Sequence, residues 1–243
     1  MGRRVLVALV AGFLLLASCA PARADWTIAA FLGAGGTHAS SLRIEQPASH
    51  TALTFEPIDY RGESFTSPVY YGYRVGWILP FAPRLAVEAE FIHLKVFADT
   101  SAITTARGIE HGQMVGRRQR LDHTVQLFSI SHGANFVLAN VVFRHPVVRG
   151  AVSDRVTVSA RAGLGPTVAH AESTIAGAFQ EQYELGSLGW QLAAGLEIRL
   201  MKGLHAIGEY KLTRTNQQVS VSGGEAQTLL RTNHLVFGAG YRF

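Results

Sequence analysis

Cysteine is all but missing from this chain: among 243 residues only Cys19 is one, so no intrachain disulfide and no paired-cysteine metal motif can form. Charge is sparse as well. Asp, Glu, Lys and Arg make up 16% of the residues, against about 25% in ordinary soluble domains, which implies that much of the surface does not face water. After residue 24 there is no run of 18 apolar residues, which excludes a membrane-spanning helix of about 20 residues. Heptads and a sustained 3.6-residue period are also lacking, so a coiled coil or helical bundle is excluded. No Pro/Ser-rich linker divides the chain, and a single domain is expected.

The first residues carry their own signal. Arg3 and Arg4 precede an apolar run from Val5 to Ala17, and Ala22 and Ala24 place small residues before Asp25. That pattern predicts a secretory signal peptide over 1–24 and a folded domain over 25–243. Leu16-Ala17-Ser18-Cys19 also resembles a lipobox, in which Cys19 would be lipidated, and both processing routes stay open. Without Arg3, Arg4 and Arg23 the net charge falls from +5 to +2, so the basic balance gives no support for a nucleic-acid partner.

What the rest of the chain has in abundance is alternation, the period-2 signature of strands with two different faces. In "LGWQLAAGLEIRL" (188–200) Trp190, Leu192, Ala194, Leu196, Ile198 and Leu200 share one face, with Gln191, Glu197 and Arg199 on the other. The stretches "RVTVSARAGLGPTV" and "PVYYGYRVGW" split in the same way. Eight such segments are expected, at about 26–42, 68–79, 84–98, 124–144, 155–172, 188–200, 203–215 and 229–243. The fourth shifts phase between Phe136 and Val142, which predicts a bulge or an error of register there. Connections after the second, fourth and sixth segments are short, whereas 43–67, 99–123, 173–187 and 216–228 read as long polar loops. Strict alternation of short and long connections suits an eight-stranded antiparallel up-and-down transmembrane β-barrel.

The residues opposite the apolar faces decide which side is inside. They include Arg74, Glu88, Glu90, Arg161, Glu197, Arg199, His205, Glu209, Lys211 and Arg242, five fixed positive and four negative charges. In a barrel just wide enough to be filled by side chains these charges can pair across the interior. A narrow pore is disfavoured for the same reason. Trp77, Tyr71, Tyr73, Phe97, Tyr210 and Tyr241 lie near predicted strand ends, as the aromatic belts of membrane interfaces do.

The leader, the alternating strands and the final strand "HLVFGAGYRF" together resemble the small bacterial outer-membrane β-barrel superfamily. It includes the OmpA transmembrane domain, OmpX-type proteins and opacity-type surface proteins. The resemblance implies residence in the outer membrane of a Gram-negative bacterium and contact of the external loops with lipopolysaccharide or extracellular partners; the periplasmic, peptidoglycan-binding half of the longer family members is not expected here. Phe237, Tyr241 and Phe243, with Leu235, resemble the signal that the barrel-assembly machinery reads in that family. No cofactor, metal or catalytic residue is expected, and the protein is expected to be a monomer.

Candidate chemistry is thin by comparison. A lipid-modifying barrel enzyme, an acyl hydrolase or transferase acting on lipid A or phospholipid, is the alternative, and His38 with Ser40 is the closest feature to its site. The i, i+2 spacing puts both on one face, where they could act as base and nucleophile given an orienting carboxylate. Ser131 and His132 are neighbours and point to opposite faces. His93 and Lys95 share the apolar face of Phe91 and Phe97, from which Lys95 could snorkel to lipopolysaccharide phosphates. Arg117, Arg118 and Arg120 form a basic cluster able to bind an anionic ligand.

Overall fold

The computed structural model describes residues 25–131, 133–147 and 155–243; the leader with Cys19, and His132, lie outside them. The described residues form fifteen strands: β1 (Trp26–Thr37), β2 (Ser40–Gln46), β3 (Thr51–Ile58), β4 (Tyr60–Arg61), β5 (Tyr71–Ile78), β6 (Leu85–His93), β7 (Val96–Ala98), β8 (Ile103–Glu110), β9 (Gln113–Arg120), β10 (Val125–Ile130), β11 (Ala134–Pro146), β12 (Val156–Ile175), β13 (Ala178–Arg199), β14 (Leu204–Val221) and β15 (Gly224–Arg242).

Antiparallel pairing runs from β1 to β5, then to β6, β11, β12, β13, β14 and β15, and β15 pairs back onto β1. The sheet therefore closes on itself and these strands leave no open edge between them. Trp26 lies opposite Trp77 on β5, with the rings stacked at 6.3 Å, and Ile28 lies opposite Tyr241 on β15. Both ends of the closed sheet's chain path sit at the end where the connections are short, called proximal below.

The alternation in the sequence becomes an alternation of exposure. Along β13, Trp190, Leu192, Ala194, Leu196 and Ile198 are exposed, and Gln191 and Ala193 between them are buried. Small residues make room inside. Phe31 points inward and is buried, and its ring fills the space beside Gly72, where an added Cβ would come within 2.3 Å of it. Any side chain at position 72 would displace that ring.

At the distal end the sheet continues beyond the ring, which corrects the expectation of polar loops at 43–67, 99–123, 173–187 and 216–228. β12 to β15 run for 18 to 22 residues, and two branches extend from them. β2 pairs with the start of β15, and β3, β8 and β9 follow in order. On the other side β10 pairs with the end of β12, then β7 and β4 follow. The physical reason is an apolar core: Leu42, Ile44, Leu53, Phe55, Ala106, Leu121, Val125 and Phe128 are buried there, in one cluster with Phe136 and Leu138 of the ring. Each large apolar side chain so buried contributes about 1.5–3 kcal/mol, enough to order segments whose other face is polar.

Two further expectations are corrected. The segment 124–144 is two strands, parted at Gly133, whose φ of 111° suits glycine and where a Cβ would meet His93 Nδ1 at 2.5 Å. The bulge expected between Phe136 and Val142 is absent from that register: Phe136, Leu138, Asn140 and Val142 all stay buried on one face. The register shift lies on the neighbouring pair, between Pro166 and Val168, where β13 reverses phase around residues 186–187. Phe97 is not near a ring-strand end with the other aromatics but is the middle residue of β7 in the distal branch, with the Arg61 guanidinium 5.7 Å over its ring.

Candidate functional site

Inward positions on β5, β6, β12 and β14 bring six of the predicted charges into one cluster. Arg74 donates to Glu209 at 2.6 Å and lies 3.8 Å from Glu90. Arg161 donates through Nε to Glu88 at 2.6 Å and through Nη1 to Glu209. Lys211, fully buried, donates to Glu90 and lies 3.3 Å from Glu209. Three cations thus meet three carboxylates, and the neutrality makes burial tolerable where any unpaired charge would cost several kcal/mol. Lys211 and Arg74 also lie 4.7 and 5.7 Å over the Phe31 ring.

Two neutral residues that were not expected in the network join it. Asn140 donates to Glu90 at 2.8 Å, and Gln191 donates to Glu90 and, at 2.7 Å, to Asn140 Oδ1. Both occupy inward positions, so parity alone would have found them. At the proximal end Glu197 forms a separate pair with Arg144 at 2.5 Å, and His205 is held by the Gly203 carbonyl at 3.0 Å. A cavity of about 30 Å³ lies beside Arg74, Glu88, Arg144 and Glu197, room for roughly one water. Arg199 and Arg242, expected in the network, do not join it. They sit at the proximal strand ends where water reaches them; Arg199 is exposed, and Arg242 pairs with Asp25 at 2.7 Å.

The basic cluster takes a different form from a mobile loop. Arg117, Arg118 and Arg120 lie on β9, the outermost strand of the larger distal branch. Arg117 pairs with Glu110 at 2.7 Å and Arg120 with Asp122 at 2.5 Å, and these arginines hold both carboxyls below the usual range. Arg118 is exposed on the outward face, opposite Thr105 and one row from Arg107. Lys95 does not snorkel: it is buried, donating to the Thr66 carbonyl at 3.0 Å with Glu63 at 3.7 Å. His93 is buried against Tyr71 and bonded to Asn135 at 2.8 Å.

His38 and Ser40 are not brought together as base and nucleophile. His38 Nε2 meets Asn233 at 3.0 Å, and Ser40 Oγ meets Thr228 Oγ1 at 3.1 Å. What does converge at the rim is a set the sequence reading missed: Ser131 donates to Glu172, and His170 lies 3.8 Å from Glu172 and 3.0 Å from Glu181. Against the expectation of no metal site, one ligand atom from each of His170, Glu172 and Glu181 falls within 4.8 Å of the others. The available signal was His-x-Glu followed by a tight turn at 176–177 that returns Glu181 across the hairpin.

A second unanticipated pair lies on the outward face. Arg214 on β14 is directly opposite Arg231 on β15, both exposed, one outward position beyond Leu212 and two beyond Leu235 respectively. Among the described residues neither forms an ion pair. Like charges facing each other across a strand pair are unfavourable in the absence of an anion between them.

Residues 10–243 match the family model of the outer membrane protein beta-barrel domain. No curated protein matches the sequence. Among solved structures the chain is similar to Neisserial surface protein A, at 9% identity and a TM-score of 0.42, covering 90% of this chain and 97% of that one. It is also similar to Ail, the attachment invasion locus protein of Yersinia pestis (14%, 0.35, covering 90% and 99%), and to the outer membrane protease OmpT of Escherichia coli (8%, 0.42, covering 90% and 97%).

Proposed function

We infer the role of this chain from one premise: it belongs to the outer-membrane protein β-barrel family and is located in the outer membrane of Gram-negative bacteria. Eight strands, β1, β5, β6, β11, β12, β13, β14 and β15, cross the membrane as an up-and-down barrel. The outward apolar positions meet lipid, and the neutral charge cluster fills the lumen and leaves no pore. The proximal end faces the periplasm and the distal branches stand outside the cell. Phe237, Tyr241 and Phe243, all exposed on the outward face, serve as the assembly signal as well as lipid contacts.

The protein acts as a non-enzymatic surface and envelope-integrity protein that holds lipopolysaccharide at its wall and presents the distal sheet to extracellular partners. The observation that carries this reading is the Arg214 and Arg231 pair, placed directly above the lipid-facing band and open to a shared phosphate. The separation of His38 from Ser40 removes the base-and-nucleophile pair that the sequence offered for the lipid-modifying alternative. Arg118 and Arg107 on the distal sheet supply a second cationic surface for anionic ligands.

The test is binding of lipopolysaccharide to the folded protein in detergent micelles. Replacing Arg214 and Arg231 together by Gln is expected to weaken binding at least tenfold. That corresponds to about 1.4 kcal/mol, less than two charge-assisted hydrogen bonds are worth. Equal binding by the variant would remove the basis of this reading.

A further inference from the structure

Beyond the register shift, the outward face of the β12 and β13 hairpin changes character. Val168 opposite Leu185 is its last apolar row; His170 then faces Tyr183, and Glu172 faces Glu181. Two carboxylates directly opposed on an antiparallel pair repel, yet here they flank an imidazole that presents one nitrogen to each.

The surroundings hold these groups in place. His170 is buried at 3% exposure with its ring centroid 4.1 Å from that of Tyr183, and Ser131, at the end of β10, donates to Glu172. A histidine nitrogen and two carboxylate oxygens within 4.8 Å of one another form the donor set of a zinc-type cation, which takes nitrogen and oxygen ligands at about 2.0–2.2 Å. The hydroxyl bonded to Glu172 and the ring packed on His170 are the kind of outer contacts that orient metal ligands.

We propose that His170, Glu172 and Glu181 form a binding site for a divalent cation of the zinc class on the outer wall of the barrel. The cation offsets the repulsion between the opposed carboxylates and pins the hairpin strands to each other. Three protein ligands of this kind leave a four-coordinate cation one further position for an oxygen or nitrogen ligand.

The experiment is calorimetric titration of Zn²⁺, alone and without lipopolysaccharide, into the folded full chain in detergent micelles, with Glu181→Gln and His170→Gln in parallel. One equivalent is expected to bind, at least tenfold more weakly in each variant, with Mg²⁺ producing no comparable heat. Cobalt substitution is expected to give visible absorption bands in the parent that Glu181→Gln loses. Glu181 is exposed on the outward face of β13, so its variant is expected to keep the heat-modifiable gel mobility of a folded barrel. Absence of zinc binding, or binding equal in the parent and both folded variants, would overturn the proposal.

Discussion

Replacing Glu90 by Gln, or Lys211 by Met, is expected to lower the unfolding free energy by about 3–5 kcal/mol, the cost of stranding a buried charge. Glu90 receives Lys211, Asn140 and Gln191 and lies near Arg74, so its neutral analogue leaves three cations facing two carboxylates. Lys211→Met leaves the reverse imbalance. The double variant restores two against two, with Arg74 and Arg161 still paired to Glu88 and Glu209. Its cost is therefore expected to fall short of the sum of the singles by at least about 2 kcal/mol, within the range of strong pairwise coupling. Equilibrium urea unfolding in lipid vesicles reads all three. Additive costs would mean that the interior is wet and that these charges do not depend on one another.

The second large effect concerns the outward face. Ala194 is exposed midway along the apolar run from Leu188 to Leu200 and lies between Ala160 and Tyr210 on the neighbouring strands. An arginine there would sit at mid-membrane depth, and Ala194→Arg is expected to cost about 2–4 kcal/mol. Leu185→Arg, beyond the register shift and close to the rim, is expected to cost about 0–1 kcal/mol on the same grounds. The depth dependence is the informative part, because an outer face in water would make both changes nearly silent.

The membrane-spanning part was legible in the sequence because one rule governs it: lipid outside demands apolar residues at every second position, and the filled lumen demands polar or small ones. Leu192, Gln191, Arg161 and Glu209 obey that rule, and their faces could be assigned without coordinates. The distal extension was not legible because there the rule inverts. Water lies outside and an apolar core inside, so Phe55, Ala169, Ala171 and Leu230 point inward while Arg43, Glu56 and Arg118 point outward. Read with a single rule, such segments look like polar loops. The same inversion explains the apparent phase shift in β11, where Phe136 and Leu138 are inward and apolar above Asn140.

Pairing across strands explains the remaining misses. Arg214 and Arg231 are 17 residues apart, and their register is set by the β14–β15 hairpin. His170 and Glu181 meet only because the β12–β13 turn falls at 176–177. Arg199 and Arg242 had the right parity but the wrong depth, and parity carries no information about distance from the rim.

The most direct test of the barrel account is lipid contact along β13. Single cysteines placed at each position from 190 to 197 in the chain from Asp25 onward, labelled with a fluorophore and refolded in vesicles of brominated lipid, report which side chains meet the hydrocarbon. Strong quenching at 190, 192, 194 and 196 with little at 191, 193, 195 and 197 is the predicted result. Quenching that fails to alternate, or that favours the odd positions, would contradict it.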